Sequence, residues 1–220
     1  MSTITIRPFA ALKLLTFAAL SLGGCHLSGI KGNGHIVTED RRVPDFTSVE
    51  AEGGFDVEWV PGAPSFTIRT DENLLRYVET SMNGNKLHLE WSTQLRPTHG
   101  MKVKISSSAL NSTRLTGAVR LNASRVSGNG FYIDGTGATR VTVDGAVNEL
   151  MATMTGASRL DAESLLVKSA ELSISGAGKA QVSASDILKV AISGAGKVTY
   201  TGDPKLERHI SGAGTIRKRD

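Results

Sequence analysis

Ile174-Ser175-Gly176-Ala177-Gly178-Lys179-Ala180-Gln181-Val182 returns one period later as Ile192-Ser193-Gly194-Ala195-Gly196-Lys197-Val198-Thr199-Tyr200. The centre of this unit is a hydroxyl residue followed by Gly and Ala. It occurs six times, with glycines at 117, 137, 156, 176, 194 and 212, a period of 20, 19, 20, 18 and 18 residues. Self-similarity at such a period marks a solenoid. Apolar residues alternate into each corner (Leu172 and Ile174; Val190 and Ile192) and out of it (Leu121 and Ala123; Val141 and Val143; Leu160 and Ala162). That is strand, tight bend and strand, with no helical period between. Stacked rungs of this kind make an all-β parallel β-helix.

The corner chemistry supports further expectations. Glycine supplies a bend that a side chain would obstruct. Ala118, Ala138, Ala157, Ala177, Ala195 and Ala213 are expected to stack in a corner too narrow for more than a methyl group. Thr116, Thr136, Thr155, Ser175, Ser193 and Ser211 are expected to form a hydroxyl ladder, bonding between rungs about 4.8 Å apart. A nucleophilic serine needs a positioned base, and six near-identical copies without a repeated His argue for structure.

Residues 1–25 have the organisation of an export signal: Arg7 and Lys13, an apolar run from Leu14 to Leu22, then Leu22-Gly23-Gly24-Cys25. The last four residues resemble the lipobox of bacterial lipoproteins, which makes Cys25 the expected lipidation site and a membrane surface the expected attachment. The run is short for a bilayer span, and the chain's single cysteine excludes an internal disulfide. By analogy with Gram-negative lipoproteins, His26 after the cysteine leans toward the outer membrane, on its periplasmic or its surface face. Without Arg7 and Lys13 the 25 basic residues become 23 against 21 acidic ones, a net charge of +2 in place of +4. Such a balance gives no ground for nucleic-acid binding or polybasic membrane attachment.

Residues 26–34, rich in Gly and polar residues, read as a flexible tether. Residues 35–108 read as an irregular β region with alternating pairs such as Phe55, Val57 and Trp59, or Leu87, Leu89 and Trp91. Within it, Asp71 to Glu79 puts Leu74, Leu75 and Val78 on one face of a short helix, with Thr70 or Asp71 as its cap and the open end of the sheet beneath it. Residues 109–220 read as about five regular rungs, continuous with the preceding region. In the last rung Arg208 and Lys218 stand where earlier rungs have Val190 and Tyr200, a charged edge that resists further stacking.

Arg42-Val43-Pro44-Asp45-Phe46-Thr47-Ser48-Val49, Gly54-Phe55-Asp56-Val57-Glu58-Trp59, Asp71-Glu72-Asn73-Leu74-Leu75 and the Ser-Gly-Ala-Gly corners follow one another in an order that resembles the putative auto-transporter adhesin head GIN domain family. The resemblance runs from about Gly34 to Ile216. It implies an exported β-helical domain, frequently on a lipoprotein, with no catalytic residues to carry over. It also favours right-handed coiling, as does the lack of a strict hexapeptide repeat.

Three residues after five of the corner glycines stand Arg120, Arg140, Arg159, Lys179 and Lys197; Thr215 breaks the series. Stacked at about 4.8 Å per rung they form a cationic ladder that an anionic polymer could neutralise. The plainer reading is a solvated face whose repulsion is screened. Glu171, Lys189 and Glu207, alternating in sign, read as ordinary cross-strand pairing. His26, His35, His88, His99 and His209 lack ligand spacing, so neither a metal nor a cofactor is expected. Asp134, Asp144 and Asp161 sit at different offsets from the corners and do not make the carboxylate pair of a glycan hydrolase. Trp59, Trp91, Phe55, Phe66 and Tyr77 read as core under the cap and not as a sugar platform. The chain therefore reads as a lipid-anchored, exported, non-catalytic binding module, adhesin-like, for an anionic glycan or an envelope protein. A structural or assembly lipoprotein working through self-association or a protein partner, and a polysaccharide-processing enzyme, are the alternatives.

Overall fold

A computed structural model of the protein describes residues 29–219; the signal-like segment with Cys25, and His26, lie outside the described residues. The N-terminal half carries β1 (Ile30–Lys31), β2 (Ile36–Asp40), β3 (Ser48–Gly53), β4 (Asp56–Pro61), β5 (Ser65–Asp71), a 3₁₀ helix (Glu72–Tyr77), β6 (Val78–Asn83), β7 (Lys86–Trp91), β8 (Leu95–Arg96) and β9 (Lys102–Ser107). The other half carries β10 (Ser112–Gly117), β11 (Arg120–Gly137), β12 (Arg140–Gly156), β13 (Arg159–Gly176), β14 (Lys179–Gly194), β15 (Lys197–Thr201), β16 (Lys205–Gly212) and β17 (Thr215–Lys218). From β10 onward every pairing is parallel, as stacked coils of a solenoid of about five turns require.

Each of the long strands β11 to β14 is most of one coil. Two corners within the coil break the ladder: a register shift after Ala123, Thr142 or Ala162, and an unpaired residue near position 129, 148 or 168. The third corner is the glycine. Residues before it pair with residues before the next glycine, and Thr116, Thr136, Thr155, Ser175, Ser193 and Ser211 fall in one register column.

The stack does not begin at residue 109. Gly53 pairs with Gly117, and Asp56 with Arg120, so β3 and β4 form a rung with a seventh glycine corner. Beneath it β7 pairs with β3, and β9 with β4. The first rung in the chain thus lies inside the stack, between a rung made later and the regular series. Antiparallel pairings of β2 with β5, β5 with β9 and β6 with β7 widen this end.

The core follows the widening. Phe46, Phe55, Trp59 and Phe66 are buried in the broad end, and the Trp59 indole N–H donates to Ser107 Oγ at 2.8 Å. The regular rungs hold mostly Leu, Val, Ile and Ala, with Phe131 and Met154 among them: Leu121, Val141, Leu160, Ala180 and Val198 are each at most 1% exposed. Trp91 packs edge-on against Phe55, with ring centroids 5.7 Å apart.

The expected short helix is present as a 3₁₀ helix, Glu72–Tyr77, but its capping and the tether before it differ from expectation. Asp71 precedes it yet makes no side-chain cap bond, and Val78 starts β6 in place of extending the helical face. The fully buried Asp71 carboxylate instead accepts from the Gly34 N–H at 2.8 Å, the Thr98 N–H at 2.8 Å and the Thr98 hydroxyl at 2.7 Å. Its bonds pin the described part of the stretch read as a tether, helped by β1, which pairs with β8. Gly32 is needed for this approach, since a Cβ there would lie 2.2 Å from the Asp71 carboxyl carbon. No helix among the described residues is long and apolar enough to cross a membrane.

Candidate functional site

Side-chain parity decides what the glycine corners present. Along a strand successive side chains face opposite sides, and the parity runs unbroken through the corner. Gly135 and Thr139 are buried; Thr136, Ala138 and Arg140 are exposed. The same holds for 155, 157 and 159, for 175, 177 and 179, and for 193, 195 and 197. Each rung therefore contributes one hydroxyl, one methyl and one cation to a single outward strip, three columns wide.

This overturns two expectations for the corner. The alanines are not enclosed: all six face solvent, and the space-limited position is the next residue, where Thr139, Ser158, Gly178 and Gly196 point inward. A Cβ on Gly178 would meet Ile174 Cγ2 at 2.9 Å. The hydroxyls are in register, but among the described residues none of Thr136, Thr155, Ser175 and Ser193 makes a side-chain hydrogen bond, because their parity turns them to water. At the corner, the hydroxyls that do bond between rungs are the inward Thr139 and Ser158, at 2.9 Å.

The frame under the strip is rigid. The Ala138, Ala157, Ala177 and Ala195 N–H groups donate to the glycine carbonyl one rung back at 2.9–3.0 Å. The Arg140, Arg159, Lys179 and Lys197 N–H groups donate across the same corner at 2.8–2.9 Å. Those glycine carbonyls also explain the glycines: at Gly137, Gly156, Gly176 and Gly194, with φ of +95 to +114°, a Cβ would sit 2.7–2.8 Å from the oxygen of the preceding glycine.

Arg120, Arg140, Arg159, Lys179 and Lys197 are register partners in succession and all exposed. Arg120, Arg140, Arg159 and Lys179 wall a groove of about 360 Å³ floored by Ala118, Ala138, Ala157, Ala177 and the buried Thr139 and Ser158, and Lys197 continues the column beyond it. Arg120 is neutralised by Asp56, Nη1 to Oδ1 2.9 Å. Arg140, Arg159, Lys179 and Lys197 have no carboxylate partner among the described residues. Other charged columns differ. Arg114 bridges Glu50 and Asp134 on the rungs either side, and Glu171, Lys189 and Glu207 alternate in register. Glu50 shows how paired such sites are: burial pushes its carboxyl up, and Lys86, Arg114 and His88 around it bring the net value below the ordinary carboxylate range. The corner column carries cations on five successive rungs, whereas Glu79, Glu90 and Glu52 make a shorter acidic run in register at the broad end.

The strip is closed at one end. In the β3–β4 corner the three outward positions are Glu52, Gly54 and Asp56, and Trp91 covers Gly53 and Gly54 so closely that a Cβ on Gly54 would meet it at 2.8 Å. At the other end Ser211, Ala213 and Thr215 continue the columns without a cation.

Among the described residues, no group of three or more His, Cys, Asp or Glu side chains is placed to hold a metal ion. Asp134 pairs with Arg114, Asp144 accepts from the Arg125 N–H at 2.7 Å, and Asp161 accepts from the Glu163 N–H at 3.5 Å, so each aspartate is used locally.

The family described as "Putative auto-transporter adhesin, head GIN domain" matches residues 45–204. Among solved structures, the chain is similar to a "putative adhesin" from Bacteroides fragilis NCTC 9343, with a TM-score of 0.73 at 20% identity, over 87% of this chain and 100% of that one. It is also similar to a "Putative lipid binding protein" from Parabacteroides distasonis ATCC 8503, with a TM-score of 0.55 at 21% identity, over 88% of this chain and 100% of that one. Likeness at such identities concerns the fold alone. No protein of curated function matches the chain.

Proposed function

The chain belongs to the family described as "Putative auto-transporter adhesin, head GIN domain", and from that premise we infer that it is a non-catalytic, adhesin-like binding module whose glycine-corner strip receives an anionic polymer. The observation that carries this reading is the column of four successive cations, Arg140, Arg159, Lys179 and Lys197, without counter-ions among the described residues, the first three of them lining one groove. A solvated face needs no such register, whereas a polymer gains from it, because each further contact is made within an already bound chain.

The test replaces Arg140, Arg159 and Lys179 by Ser. Each exposed charge pair contributes on the order of 0.5–1 kcal/mol, so the triple variant should bind heparin or polygalacturonate roughly 10- to 100-fold more weakly in surface plasmon resonance. Equal binding by variant and parent to every anionic polymer tried would end this reading. A protein partner is the second reading, favoured by a groove of about 570 Å³ on another face, where Leu166 is 65% exposed beside Val147, Val167 and Ala184. The triple variant leaves that face untouched.

Export and anchoring belong to the same reading. Arg7, Lys13, the apolar run and Leu22-Gly23-Gly24-Cys25 support an exported, lipid-anchored protein, and His26 after the cysteine leans toward the outer membrane by analogy with Gram-negative lipoproteins. Cys25→Ser is expected to move the protein from the membrane fraction to the soluble fraction and to abolish palmitate labelling. Retention of label in that variant would remove the anchor from the account.

A further inference from the structure

We propose, building on the reading of the corner strip as an anion-binding surface, that its ligand is a linear acidic glycan whose charges are carboxylates, lying along the stack over Ala138, Ala157 and Ala177.

The protein's own Asp56 is the first argument. It occupies the cation column one rung before Arg120, and its Oδ1 accepts from Arg120 Nη1 at 2.9 Å. A carboxylate at a column position is thus already shown to satisfy the guanidinium of the adjoining rung. A glycan that places carboxylates at one or two rung steps, about 4.8 or 9.6 Å, repeats that contact at Arg140, Arg159, Lys179 and Lys197.

The other two columns suit the rest of a sugar. The unpartnered hydroxyls of Thr136, Thr155, Ser175 and Ser193 can donate to and accept from ring hydroxyls. The exposed methyls of the corner alanines leave room for a pyranose face and offer it apolar contact. A single-stranded nucleic acid is a poorer match, because it needs aromatic side chains on which bases stack and the strip has none between Trp91 and its open end. Trp91, Glu52 and Asp56 close the strip on the anionic side, so the ligand occupies a bounded run of four cations and not an indefinite surface.

The experiment measures binding of the full chain, held in detergent, to oligogalacturonates of two to eight sugars, with heparin fragments and polyphosphate of matched length as comparators. Affinity for oligogalacturonate is expected to climb about tenfold or more from the dimer to around the pentamer and then level off, as the four cations are used up. Two substitutions probe the register itself. Arg120→Ser should change affinity by less than about twofold, because Asp56 already holds that guanidinium, whereas Arg140→Ser should weaken binding several-fold. Asp56→Asn frees Arg120 as a fifth cation and should raise affinity for the longer oligomers about threefold and move the plateau out by one sugar. Asp186→Asn, the same change of charge at a different corner of the coil, should leave both unchanged.

Heparin or polyphosphate binding as tightly as oligogalacturonate, with the triple Ser variant of the ladder weakening all of them, would overturn the carboxylate assignment while leaving the anion-binding strip in place. Binding of no polymer that depends on the ladder would remove the strip itself. An Asp186→Asn gain equal to that of Asp56→Asn would reduce the effect to bulk charge and overturn the proposal.

Discussion

Gly145→Ala is expected to destabilise the protein by about 3–5 kcal/mol, more than Gly156→Ala at about 2–4 kcal/mol and well beyond Gly84→Ala at about 1 kcal/mol. All three have positive φ, +130°, +95° and +62°, so each substitution incurs a conformational cost. They differ in what the new methyl meets. At Gly84 nothing lies within 4 Å; at Gly156 the Gly137 oxygen is 2.7 Å away; at Gly145 the Val126 oxygen is 2.0 Å and the Val126 nitrogen 2.6 Å away. Backbone atoms in a parallel ladder cannot yield singly, since moving one carbonyl breaks the bond it makes to the next rung. Urea midpoints of the three variants measure the order. Equal losses at 145 and 84 would mean that backbone strain alone sets the cost and that the rungs are further apart than the geometry indicates.

Asp71→Ala should cost about 3–4 kcal/mol and loosen residues 29–35 selectively. It strips acceptors from the Gly34 and Thr98 N–H groups and the Thr98 hydroxyl in a fully buried site, and orphaned buried donors cost about 1–3 kcal/mol each, less whatever water recovers. Asp71→Asn keeps one acceptor oxygen and should lose about half as much. Burial pushes the Asp71 carboxyl up, but the Thr98 hydroxyl and the Thr98 and Gly34 N–H bonds more than offset this, and the net direction is down. A depressed folded-state pKa means that the unfolded chain binds the proton first. The stability due to the charge is then present above the ordinary Asp range, about pH 4, and is lost as pH falls through the lowered value. The gap between parent and Asp71→Asn should therefore close at acid pH. A gap that stays constant down to pH 2 would show that the carboxylate's charge has no part in the pinning. Amide exchange at Gly34 and Thr98 reports the loosening directly.

Much of this architecture could be read from the repeated corner. The spacing of the glycines, the apolar residues two and four before them and four and six after them, and the cations three after them all fall into the expected columns, because a parallel ladder copies local chemistry from rung to rung. The β3–β4 rung is not legible as a repeat because Glu52 and Gly54 replace the hydroxyl and the alanine, and Asp56 the cation, while an insertion separates Gly53 from Gly117 by 64 residues. The outward alanines follow from parity: Ala138 shares its side with Thr136 and Arg140, so a reading based on size alone placed it wrongly. The role of Asp71 was hidden for another reason. Its partners Gly34 and Thr98 are 37 and 27 residues away, and no local pattern links an aspartate before a helix to backbone groups so distant. The absence of counter-ions along the ladder likewise depends on neighbours from other rungs.

The interleaving of the broad end has a consequence for how the molecule can grow and be made. The rung of β3 and β4 leaves the ribosome before either of the layers that sandwich it, so this half must wait for residues up to about 117 and then settle as one cooperative unit, with the slow closure that distant contacts impose. From β12 onward each coil needs only its predecessor, and adding one is a local event. Duplication of a single coil after Gly156 could therefore lengthen the lineage's proteins one layer at a time without disturbing the foundation, and each duplicate would extend the reach of the corner columns by one step.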